Sequence, residues 1–256
     1  MLSAHNKHGE GMVAWEATKA DGPFSCPACH EEVLLKKGSI KVHHFAHVPP
    51  STCTYGTGES EEHRQAKHAI YEALQTHPNI SWVRVEWYLG EVRPDISFAM
   101  RDGQEVAVEI QFSPLSPEET ARRTRLYSAK HIHVLWLLPA RDHLIEGAKY
   151  DTSLLERYLH ALYFGKVYYW LSGDLVLPVH FERYSLGLAL REWDVQEEEE
   201  QGHASFFERF SKRARIPIFS DAVHIAELQA MSRQAGQFGP YTLPTAWLWG
   251  ENARRS

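Results

Sequence analysis

The most constraining stretch of this sequence is residues 105–138. EVAVEIQF (105–112) alternates, with Val106, Val108, Ile110 and Phe112 on one face, and reads as a strand. Ser116-Pro117-Glu118-Glu119 follows, with Ser at the N-cap, Pro at the first helical position and Glu where a capping box needs it. That predicts a helix to about Lys130. HIHVLWLL (131–138) is nearly continuous in apolar residues, as strands buried on both faces are. Strand, helix and strand make a βαβ unit, so the chain needs a sheet with at least one parallel pair. An α/β fold class follows, with a mixed sheet core flanked by helices.

Upstream, ISWVRVEWYL (80–89) and VRPDISFAM (92–100) also alternate. The latter meets 105–112 across Arg101-Asp102-Gly103, and the choice of loop sets the pairing. A two-residue Asp102-Gly103 turn puts Ile96 opposite Glu109, mixing apolar and charged groups on one face. A three-residue loop puts Ile96 opposite Val108 and Phe98 opposite Val106, with Gly103 at the position that needs a left-handed backbone. Hydrophobic register selects the three-residue loop. Asp95 then lies opposite Glu109, with Gln111 two residues on along the same face.

Two carboxylates on one polar face are ligands for Mg²⁺ or Mn²⁺, with the Ile110 carbonyl available beside them. Pro94-Asp95, thirteen intervening residues and Glu109-Ile110-Gln111 resemble the PD-(D/E)xK nuclease motif, with Gln in place of the usual Lys. Phosphodiester hydrolysis needs a cation on the phosphate and an activated water. Gln111 orients water but does not polarise it as Lys does. The competing reading is a sheet surface with two solvated acids. Helix 117–130 carries Arg123 and Tyr127 four residues apart on one face, a candidate phosphate-binding surface. ESEEHRQAKHAIYEALQT (59–76) reads as a helix capped at Ser60, with Ala66, Ile70, Ala73 and Leu74 as its apolar stripe. His63 and Lys67 share one of its faces and are candidates for phosphate contact. Glu59 or Glu62 is a candidate to complete the metal site. Ordinary surface pairing within the helix competes with both.

All three cysteines lie early, at Cys26, Cys29 and Cys53, near His43, His44 and His47. CxxC followed by His and Cys offers four soft ligands to a tetrahedral Zn²⁺. The favoured set is Cys26, Cys29, His47 and Cys53. His44 replaces either His47 or Cys53 in the alternative. A thioredoxin-like redox pair is disfavoured by the Pro-rich and Gly-rich flanks. Lys36, Lys37 and Lys41 in the same segment are candidates for nucleic-acid contact.

The remainder is less patterned. GMVAWEATKA (11–20) reads as a strand, DTSLLERYLHALYF (151–164) as a helix, and KVYYWLSGDLVLPVHF (166–181) as a hairpin turned at Gly173-Asp174. Glu197–Glu200 read as a solvated loop or helix end. The formal net charge of -6 over 256 residues excludes a histone-like coat, so nucleic-acid contact requires a local basic patch. No apolar run approaches the ~18 residues of a membrane span, and the first ten residues lack the core of a secretory signal. With three cysteines and no disulfide framework, a cytoplasmic protein is expected.

FSCPACHEEVLLKKGSIKVHHFAH (24–47), ESEEHRQAK (59–67), RPDISF (93–98), VAVEIQFSPLSPEETARRTRLY (106–127) and HVLWLL (133–138) together resemble the CoiA-like competence nuclease family. The pieces stand in family order and span about half the chain. The resemblance implies a restriction-endonuclease-like core with a small N-terminal zinc-binding β segment. It implies a cytoplasmic bacterial protein that assists natural transformation, acting on internalised or recombining DNA beside recombination or competence proteins; the residues themselves leave single-stranded, duplex and branched DNA, and RNA, open as substrates. Carried over by position, Asp95, Glu109 and Gln111 are the catalytic set, supported by Glu62, His63, Arg123 and Tyr127. The expected organisation is a finger over 1–57, a nuclease-like domain over 58–180 and a C-terminal region over 181–256. Two other functions compete: a DNA-binding module with a decayed site, and a protein-interaction adaptor using the finger and the Trp/Tyr-rich C-terminal half.

Overall fold

A computed structural model describes residues 1–56, 58–190 and 206–251. The glutamates at 197–200 lie outside the described residues. The first ~50 residues form a five-stranded sheet. Its strands are β1 (Ser3–His5), β2 (Gly11–Val13), β3 (Phe24–Ser25), β4 (Glu32–Lys36) and β5 (His44–His47), in the order β2-β1-β3-β4-β5. The strand expected over 11–20 stops at Val13 and turns, burying Ala14 and Ala17 in a small core with Phe24, Val33 and Phe45.

Helix α1 (Glu61–Gln75) follows, and Ser60 Oγ accepts from the His63 N–H at 3.1 Å. Ala66, Ile70 and Leu74 are fully buried, as their spacing predicts. Next come β6 (Ile80–Val85), β7 (Ile96–Met100) and β8 (Glu105–Ile110), then α2 (Pro117–Ala129) and β9 (His133–Pro139). Ser116 caps α2 through the Glu119 N–H. Only that half of the expected capping box forms, because the Glu119 carboxylate pairs with Arg122 instead. The reciprocal box occurs at Ser153 and Glu156 of α3 (Leu154–Leu162), which follows β10 (Tyr150–Asp151). The hairpin β11 (Val167–Ser172) and β12 (Leu175–Leu190) turns at Gly173-Asp174 as expected, but β12 runs on to pair with β13 (Phe206–Phe219). Short strands β14 (Val223–His224), β15 (Gln229–Arg233), β16 (Gly236–Phe238), β17 (Tyr241–Leu243) and β18 (Ala246–Gly250) complete the described chain.

The large sheet runs β10-β13-β12-β11-β9-β8-β7-β6, with β18 also touching β9. β9 is parallel to both β8 and β11, so the fold is α/β with a mixed sheet and, among the described residues, three α-helices. Central β9 buries Val134 through Leu137 completely, which explains its unbroken apolar run. The β7–β8 register is Ile96 to Val108 and Phe98 to Val106, closed by Gly103 at φ +91°. The hydrophobic register argument therefore holds.

Candidate active site and metal centre

Asp95 stands just before β7, where the register places it across from Glu109. Its Oδ2 accepts from the Ile110 N–H at 2.8 Å. Glu109 does not lie on a wet face. It is 2% exposed, and its Oε1 accepts from both Arg123 and Tyr127 of α2. Burial pushes the Glu109 carboxyl up to about 7, and the Asp95 charge adds to this against the pull of Arg123. Tyr127, a candidate for DNA contact, is fully buried and serves Glu109 instead. Arg123 also pairs with Glu109 and lies over the Trp136 ring at 5.3 Å, but a fifth of its side chain is exposed. Gln111 turns aside: its Nε2 donates to Ser113 O at 2.6 Å rather than facing the carboxylates.

Helix α1 supplies the other wall. His63 Nε2 lies 3.1 Å from Asp95 Oδ2, and its Nδ1 lies 3.6 Å from Glu59. Ligand atoms of Glu59, His63 and Asp95 all lie within 4.8 Å of one another, close enough to hold one cation. Neither Glu59 oxygen nor His63 Nε2 makes a well-directed hydrogen bond, although Lys67 and Asp95 lie beside them. Two carboxylates and an imidazole converging in this way fit a divalent ion by their donor chemistry. Glu62, the alternative to Glu59 and the one the resemblance carries over as a supporting residue, is not in this group. Glu59 precedes the helix and folds back over its first turn, whereas Glu62 points to an adjacent cleft.

Lys67 was expected to reach a phosphate, and the structure corrects this. It is 2% exposed and sits among Glu59, Glu86 (2.6 Å) and Asp95 (3.6 Å). Burial opposes its charge, but the three carboxylates outweigh burial and hold it protonated. In return Lys67, with His63, keeps Asp95 well below the ordinary carboxylate range despite burial. Glu86 was missed altogether. In sequence it reads as a solvent-facing acid between Val85 and Trp87. In the structure it leaves β6 at φ +51°, and its Oε2 accepts from the Leu2 N–H at 2.9 Å. One carboxylate thus ties the N-terminal sheet to the Lys67–Asp95 cluster.

Cys26, Cys29, His47 and Cys53 bring their ligand atoms within 4.8 Å of one another, with Cys29 Sγ 3.3 Å from His47 Nε2. The Ala28 and Tyr55 N–H groups donate to the sulfurs of Cys26 and Cys53, each at 3.4 Å. Such donors stabilise thiolates, so the set fits a zinc ion on donor chemistry. Burial, helped by the two neighbouring sulfurs, pushes the Cys29 thiol up to about 12, so a bound cation is what would hold it deprotonated. His44 is excluded from the set. It lies three residues from His47 on β5, so the strand period turns it to the opposite face, where Nδ1 meets Val42 O at 2.9 Å.

The chain thus sets a half-buried acid–histidine cluster on a mixed α/β sheet and appends a Cys/His centre to it. Residues 10–56 match the family model for the competence protein CoiA, N-terminal domain, and residues 59–163 match the one for the competence protein CoiA, nuclease-like domain. The chain belongs to the CoiA family. It is similar to the competence protein CoiA of Bacillus subtilis (strain 168), with 30% identity over 118 residues. That alignment covers 45% of this chain and 31% of the relative, so the chain spans about a third of the relative's length. No solved structure matches. Among the described residues, no helix is long and apolar enough to cross a membrane.

Proposed function

We propose that this protein is a Mg²⁺- or Mn²⁺-dependent DNA nuclease of the PD-(D/E)xK type, acting in the cytoplasm on DNA handled by recombination or competence proteins. The reading assigns residues 1–57 to a zinc finger, 58–180 to the restriction-endonuclease-like catalytic unit and 181–256 to an accessory region. The observation that carries it is the convergence of Glu59, His63 and Asp95 on one point beside buried Glu109. Asp95, Glu59 and His63 would hold the divalent ion, with Glu109 behind them. When bound, that ion supplies charge neutralisation on the phosphate and a more acidic water.

The chain's own groups do the rest. Arg123, partly exposed above Glu109, presents positive charge to a phosphate oxygen. Tyr127 fixes the Glu109 carboxylate by donating to it. His63 is held by Asp95 and stacked on Phe112 at 5.4 Å, which fixes its ring as a ligand at the site. The experiment is incubation of the purified protein with labelled single-stranded, duplex and branched DNA plus Mg²⁺ or Mn²⁺. Cleavage lost in Asp95→Ala supports the nuclease.

One observation favours a second reading, a DNA-binding module without catalysis. Gln111 is turned to Ser113 and Lys67 is locked among carboxylates, so neither acts as the motif's lysine toward water. Salt-sensitive DNA binding without cleavage under any divalent ion supports that reading.

A further inference from the structure

Ligands of sheets with parallel strands bind beyond the carboxyl ends of those strands. Here β8, β9 and β11 are mutually parallel neighbours ending at Ile110, Pro139 and Ser172. Two cavities open there, of about 510 and 380 Å³. They share Phe112, Pro139 and Arg141 as lining, so they are two halves of one crevice. One half continues from Gln111 to Arg213 on β13, and the other from Phe112 to Trp170 on β11.

The crevice passes the acid–histidine cluster, because the Phe112 ring that lines both halves is stacked on His63. Trp170 is half-buried and its ring is fixed by Nε1 donating to Gly173 O at 2.9 Å. Arg141 and Arg213 are exposed, and among the described residues neither is in an ion pair. Arg64, Arg122 and Arg123, by contrast, each have a carboxylate. Arg213 is nonetheless built in: its backbone carbonyl accepts from Thr152 N–H at 3.1 Å and Oγ1 at 2.7 Å. Phe112 and Arg141 where the halves meet, Trp170 in one half and Arg213 in the other suit a chain of phosphates with exposed base faces. A duplex offers the phosphates but keeps its base faces stacked.

We infer that this crevice is the track for a single strand of DNA, with Phe112 and Trp170 as stacking platforms and Arg141 and Arg213 as phosphate contacts. The inference rests on the reading of the site as a DNA nuclease, and it specifies the substrate as unpaired. Phe112 seats the nucleotide beside His63, and the strand leaves toward β13.

The test is fluorescence anisotropy with a labelled oligo-dT and a duplex of equal length, over a salt series and without divalent ions. The wild type binds the single strand more tightly. R141A/R213A weakens single-strand binding and reduces the log–log salt slope by about 1.4, or roughly 0.7 per lost contact. Trp170→Leu weakens binding about tenfold and leaves the slope unchanged, as loss of stacking does. Both arginines are exposed, so their removal does not threaten folding; circular dichroism and zinc content verify this. Equal affinity for duplex, or unchanged affinity in both variants, overturns the track. Asp95-dependent cleavage of duplex without single-strand binding overturns the track but keeps the nuclease. Track-dependent binding without cleavage supports the track and overturns the nuclease.

Discussion

Replacing Lys67 by Met removes one buried cation from three carboxylates, and the structure sets the size of the effect. Burial by itself pushes Glu86 up, but Lys67 and then Arg93 outweigh it and hold the carboxyl at about 2, against an ordinary 4.5. At about 1.36 kcal/mol per pH unit, this shift alone corresponds to about 3 kcal/mol of stability at neutral pH. Glu86 is 2% exposed, so little solvent screening reduces the figure. Asp95 is depressed by the same lysine, while Arg93 at 3.9 Å and the Leu2 N–H remain for Glu86 after the substitution. The expected loss is therefore about 3–5 kcal/mol, the usual cost of removing one partner from a buried pair. The pH dependence gives a sign as well. In the wild type both folded values are depressed, so their contribution is complete above about 4.5 and is lost as pH falls toward 2. In Lys67→Met the buried carboxyls rise above their ordinary values, so the wild-type loss below about 4.5 disappears and the variant instead gains stability as pH falls from neutral to about 4.5. Urea unfolding at several pH values measures both. A loss below about 1 kcal/mol at neutral pH, with the same pH slope as wild type, refutes the reasoning.

Three further outcomes are expected. His47→Ala loses bound zinc, measured by chelator titration of metal content, whereas His44→Ala keeps it, because only His47 faces the three sulfurs. Glu109→Gln flattens the pH dependence of the thermal midpoint: a carboxyl raised from 4.5 to about 7 in the folded state makes the wild type lose stability as pH rises between those values, on the order of 3 kcal/mol. The glutamine still accepts from Tyr127 and Arg123, and a variant whose curve parallels wild type sinks the assignment. Gly103→Ala costs about 1–2 kcal/mol in denaturant unfolding, since an added Cβ meets nothing within 4 Å and only the φ of +91° opposes it.

Local periodicity made much of the site legible. The apolar residues on either side of Gly103 could satisfy both strands in only one register, and that register carried Asp95 to the end of β8. Four-residue spacing put His63 and Lys67 on one face of α1, and both do face Asp95. The same spacing put Arg123 and Tyr127 together, and both do meet Glu109. What they do there was not legible, because depth is not written in spacing. A lysine or tyrosine on a helix face serves solvent or a buried acid according to what packs above it.

The sequence by itself determined the βαβ unit, the hairpin register and the gathering of the three cysteines in one segment, because each follows from neighbours at most a few tens of residues apart. Only the tertiary structure decided that Glu59 rather than Glu62 joins Asp95, that Gln111 faces away, and that Glu86 joins the N-terminal sheet to the site. Those choices are made by α1, β6 and the first residues meeting across distances in sequence that no periodicity spans. Burial there, rather than residue type, sets which charges are paired and which carboxyl keeps its proton.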